Sequence, residues 1–158
     1  MGSNAPLANR YREVAIKTAN PIQLIVILYD GAIQSLQEAR EHIKGKDIAN
    51  RSRCLNRSVA IISELQASLN FNVGGDIAGS LDRLYTYMKQ RIFEASVEQT
   101  IEPLNHVLGL LDNLRAAWGE LACQANNAGM AAASAPRPEL IRSIPAAEGL
   151  QSQLNISG

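Results

Sequence analysis

The stretch that decides the fold runs Ile22-Gln23-Leu24-Ile25-Val26-Ile27-Leu28-Tyr29-Asp30-Gly31-Ala32 and on through Leu36, Ala39 and Ile43. Within it, Ile22, Ile25, Tyr29, Ala32, Leu36, Ala39 and Ile43 recur in steps of three and four, which places them on one helical face. Asn20-Pro21 precedes the run, with Pro at a first-turn position and Gln23 spaced for a capping box. Gly45 ends it, and Asp47 is placed to cap a second helix after a very short turn.

The same pattern repeats three more times. Ile48, Leu55, Val59, Ile62, Leu65 and Leu69 stripe a second helix reaching about Asn70. Asn72-Val73-Gly74-Gly75 reads as a loop, with Asp76 as the next cap and a third helix over 77–97 striped by Ile77, Leu81, Leu84, Met88, Ile92 and Ala95. Thr100 is the expected cap of the fourth, where Leu104, Val107, Leu108, Leu111, Leu114 and Trp118 face inward and Pro103 sits in the first turn. That helix is expected to decay around residues 123–133. Four similar helices with short loops give an all-α, antiparallel up-down-up-down four-helix bundle over residues 20–126. Residues 1–19 hold a two-turn helical stretch around Tyr11, read as an N-terminal docking segment. Residues 127–158, rich in Ala, Ser and Pro, read as a mobile C-terminal tail.

The 158 residues suggest one domain, and 15 Lys+Arg balance 15 Asp+Glu, which argues against bulk attraction to nucleic acid or acidic membrane. Only seven residues are aromatic, so the core must be aliphatic. Cys54 and Cys123 lie in no metal-ligand spacing and are expected to be reduced, in a cytoplasmic protein. Residues 1–21 contain no long apolar run, so neither a secretory signal nor a membrane insertion is expected.

Chemistry is hard to find. His42 and His106 are the only histidines, and neither has Glu three residues before it, as a di-iron bundle requires; no metal or cofactor is expected. One alternative is a histidine-phosphotransfer bundle, but both histidines read as solvated surface residues. Gly74-Gly75 precedes Asp76, whose carboxylate would repel phosphate. Arg51, Arg53 and Arg57 read as a solvated basic face on the second helix. What stands out is excess apolar surface. Ile27 points about 160° from the first helix's stripe, Leu24 and Val26 about 100° to either side, and Tyr87 and Phe93 lie similarly off-axis on the third helix. Such residues suit an apolar groove for another chain's helices, with partial cover by the N-terminal segment. The same patch would also serve a homodimeric regulator.

Five ordered pieces of the sequence resemble the flagellar secretion chaperone (FliS) family that binds flagellin. They are Ala19-Asn20-Pro21-Ile22-Gln23-Leu24 with Leu28-Tyr29-Asp30-Gly31-Ala32; Gly45-Lys46-Asp47-Ile48; Ile61-Ile62-Ser63-Glu64-Leu65; Gly74-Gly75-Asp76-Ile77-Ala78 with Leu81 and Leu84-Tyr85-Thr86-Tyr87-Met88; and Leu110-Leu111, Leu114-Arg115, Ala117-Trp118. The likeness spans about residues 11–118. It implies an antiparallel helix bundle without enzymatic activity that binds the C-terminal segment of flagellin, blocks premature polymerisation and engages the membrane-embedded export gate. The partner-binding residues this suggests are Tyr11, Leu24, Ile27, Leu28, Tyr29, Leu81, Leu84, Tyr85, Tyr87 and Met88. Ile27, Tyr87 and Tyr11 are favoured for contact, whereas Tyr29 and Leu84 are favoured as core.

Overall fold

The computed structural model describes residues 21–131, with side chains to residue 128. The N-terminal segment around Tyr11 and the tail beyond Ala131 lie outside the described residues. Four helices follow one another: α1 (Pro21–Lys44), α2 (Ile48–Ala67), α3 (Phe71–Glu98) and α4 (Glu102–Ala131). Connections of three residues force consecutive helices antiparallel. Helix α1 packs on α2 and α4, and α3 closes the ring against the same two. No strand occurs among the described residues. The up-down-up-down bundle expected from the periodicity is the observed fold.

The α1–α2 turn shows how the local chemistry works. Asp47 N–H bonds to the His42 carbonyl at 2.9 Å and Lys46 N–H to that of Ile43 at 3.1 Å, the paired bonds of a Schellman ending. The left-handed position falls on Lys46 (φ 57°), one residue after Gly45. Asp47 then caps α2 as expected, its carboxylate accepting from the Asn50 backbone at 3.2 Å and side-chain amide at 2.7 Å.

Two boundaries differ from expectation. The stretch 72–75 is not a loop: Asn70 caps a first turn by accepting from the Asn72 and Val73 N–H groups, and the chain breaks helical geometry only at Gly75 (φ 51°, ψ −126°) before resuming. Glycine signalled the break correctly, but Asn70 supplied an earlier cap. A Cβ on Gly74 would also meet that of Ala78 at 2.9 Å. Helix α4 opens at Glu102, so Thr100 is too early to cap it, and it continues to Ala131.

The core is aliphatic apart from Tyr29 and Tyr85. Small residues let α1 and α2 approach: Ala32, Ser35 and Ala39 on one helix, Cys54 and Ser58 on the other, all buried. The two serine hydroxyls are satisfied by donating back to the Gly31 and Leu55 carbonyls. A second cluster joins Ile22 and Val26 to Leu121 and Ala122. The far end of α4 thus covers part of the extra apolar face of α1 and buries Val26, which periodicity had placed off the stripe.

Lys46 and Gln99 (φ 59°) occupy left-handed positions that disfavour side chains. Lys46→Gly should stabilise the protein by about 0.5–1 kcal/mol, whereas Gly75→Ala should destabilise it by about 1–2 kcal/mol. Urea denaturation of the two variants checks both signs.

Candidate interaction surface

Tyr29 stands at the centre of the site's framework, fully buried on α1, with its hydroxyl hydrogen-bonded to that of Tyr85 on α3. The indole N–H of Trp118 lies beside the Tyr29 hydroxyl but outside hydrogen-bonding geometry, and so is buried without a partner. Burial, then the neighbouring Tyr85, pushes the Tyr29 phenol well above its ordinary range. Burial likewise raises Tyr85 to about 12.

Surface polar links tie three of the adjacent helix pairs, and a ring contact ties the fourth. Arg115 on α4 grips Asp30 on α1 through two bonds of 2.8 and 3.3 Å. Arg40 reaches Asn105 at 3.0 Å, and Arg57 pairs with Glu38 at 3.4 Å. Gln66 on α2 donates to Asp82 and Thr86 on α3 at 2.8 and 3.0 Å. The Tyr87 and His106 rings meet edge to face at 5.7 Å between α3 and α4. Exposed pairs of this kind add at most about 1 kcal/mol each.

The ten residues singled out as partner-binding do not form one surface. Leu28, Tyr29, Leu81, Tyr85 and Met88 are buried in the core. Leu24, Ile27 and Leu84 are half-buried, Tyr87 is exposed, and Tyr11 lies outside the described residues. The stripe on α3 is centred on Tyr85, so Leu84 turns partly outward where periodicity had it inward. Sequence reasoning correctly left Phe93 in solvent, where it is 68% exposed, but assigned Ile48 to the core although it is 59% exposed. Val97, also exposed, was missed, although its four-residue spacing from Phe93 was a usable signal. Arg51, read as part of a solvated basic face, is instead buried in line with Leu55, Ser58 and Ile62.

Catalytic groupings are sparse. Among the described residues no three His, Cys, Asp or Glu side chains converge as a metal site, and no helix is long and apolar enough to cross a membrane. His42 sits 3.6 Å from Asp47 at the α1–α2 turn, and His106 is exposed beside Tyr87. Cys54 is buried beside Glu38, and burial with that carboxylate raises its thiol; Cys123 is exposed. The architecture is that of a helical module whose surface offers apolar contact.

The family described as "Flagellar protein FliS" matches residues 3–126, and the chain belongs to it. The flagellar secretion chaperone FliS of Salmonella typhimurium is 35% identical over 115 residues, covering 72% of this chain and 85% of that protein. FliSB of Pseudomonas aeruginosa is 33% identical over 113 residues, 69% and 90% of the two chains. FliS of Bacillus subtilis is 29% identical over 108 residues, 68% and 80%. The protein is therefore of the flagellar secretion chaperone class.

Both buried tyrosines bind their protons more tightly when folded than when unfolded. Their contribution is complete below about pH 10 and is lost as pH rises toward and beyond 12. Tyr85→Phe alone should cost about 1–3 kcal/mol because it strands the Tyr29 hydroxyl, and the double Tyr29→Phe, Tyr85→Phe variant should cost less. Urea unfolding from pH 9 to 12 should show a steeper alkaline loss in the parent than in the double variant.

Proposed function

We propose that this protein is a cytoplasmic export chaperone that holds the C-terminal helical segment of flagellin, blocking premature polymerisation before type III flagellar secretion. The observation that carries the reading is apolar side chains left in solvent on a bundle whose core is otherwise closed. Phe93, Val97, Ile48, Phe71 and Tyr87 are all exposed. Membership of the flagellar secretion chaperone family supports a flagellar cargo.

Ordering a segment that is disordered when free costs several kcal/mol, so the bundle must offer long apolar contact in return. In this reading Leu24, Ile27, Leu84 and Tyr87 touch the segment. Leu28, Tyr29, Leu81, Tyr85 and Met88 support those positions from beneath. Tyr11 belongs to a segment that covers part of the site until cargo arrives. The chaperone–cargo complex then presents flagellin to the membrane-embedded export gate.

Titration calorimetry with a peptide covering the C-terminal helices of flagellin should show saturable one-to-one binding. Far-UV circular dichroism of the mixture should exceed the sum of its parts. Ile27→Asp should weaken binding at least about tenfold with the fold retained, since a buried unpaired carboxylate at the contact is strongly unfavourable. Absence of binding at high micromolar concentration would sink the proposal.

A further inference from the structure

Among the described residues Arg51 is the one Lys or Arg whose side chain is buried. It is 92% buried in the first turn of α2 and its Nε has no acceptor, while its two terminal nitrogens, which no hydrogen bond among the described residues engages, keep contact with solvent. A cation with a buried stem and its tip at the surface is placed to meet an anion arriving from outside.

Its surroundings can be placed from the helix geometry. Gln66 bonds to Asp82 and Thr86, which marks the sides of α2 and α3 that face each other. Ile48 lies about five full turns before Gln66, and Phe93 and Val97 lie about three turns after Asp82 and Thr86. All three are therefore on the groove between α2 and α3, in the half nearest the α1–α2 turn. They are also among the most exposed large apolar side chains, at 59%, 68% and 65%. Arg51 falls about 60° from the groove line toward the core, beneath them. Lys89, two turns after Asp82, lies on the same groove and forms no ion pair among the described residues. No carboxylate occupies the groove-facing positions of either helix in this half; Glu94 points away and is engaged by Arg91.

We infer that this half-groove is a docking subsite for an acidic residue set among apolar side chains on a helical partner segment, with Arg51 as its counter-charge. A buried Arg ringed by apolar residues is the usual anatomy of an interface hot spot. A second copy fits poorly, because two-fold docking through this face would bring Arg51 and Lys89 against each other. The inference rests on the flagellin reading: the occupant is the same C-terminal segment, and one of its carboxylates is read here.

The test is calorimetry of the full chain with the flagellin C-terminal segment, using Arg51→Met, Phe93→Ser and segments in which each Asp or Glu is changed singly to its amide. Arg51→Met should weaken binding at least about tenfold while leaving the thermal midpoint of the free protein largely unchanged, because the buried apolar stem is kept and only the charged tip is removed. One amide substitution should reproduce that loss and have no further effect against Arg51→Met. Phe93→Ser should leave folding intact and weaken binding several-fold. Unchanged affinity in Arg51→Met, a loss of stability in step with affinity, or no carboxylate coupled to Arg51 would each overturn the inference alone. If Arg51→Met does not fold, unchanged affinity in Phe93→Ser overturns it. Failure of the parent chain to bind the segment would instead remove the flagellin reading and this inference with it.

Discussion

The hydroxyl pair of Tyr29 and Tyr85 spans the diagonal of the bundle, joining α1 and α3, which otherwise pack on α2 and α4 rather than on each other. Two phenols meeting end to end set the distance between opposite helices at that level. The aliphatic residues above and below must fill the space that distance leaves. Because each hydroxyl satisfies the other, the pair avoids the cost of an orphaned polar group in a dry interior. Trp118 packs beside it, so α4 is referenced to the same point.

From that pair the rest of the framework follows by size. Alanines, serines and a cysteine draw α1 and α2 together, and the far end of α4 closes over Ile22 and Val26. The outer faces of α2 and α3 are held at one end by Gln66, and toward the other they expose Ile48, Phe93 and Val97. The exposed apolar surplus lies mostly on α3, with Ile48 added from α2. That distribution suits a chaperone whose cargo must be gripped without disturbing the interior.

Most of the fold was legible because helix periodicity and caps are local properties. Apart from Ile48 and Leu84, the stripes on the four helices and the Asp47 cap appear in the structure as read. The misreadings are equally local in origin. Asn70 competed with Asp76 as a cap, and Ile48 fitted the stripe but stays mostly exposed at a helix end. The candidate site was less legible, since five of its ten residues prove to be core. An angle on a helical wheel cannot say whether a neighbouring helix covers a position.

The sequence by itself determined the order of the four described helices, their antiparallel arrangement and the family, because those depend on short-range spacing and on ordered motifs. Only the tertiary structure decided which apolar residues are left for a partner. It buried Val26 under α4 and turned Leu84 outward by centring the α3 stripe on Tyr85. It also drew Arg51 inward without an acceptor. Burial is a property of pairs of helices, and the pairing exists only once the bundle has closed.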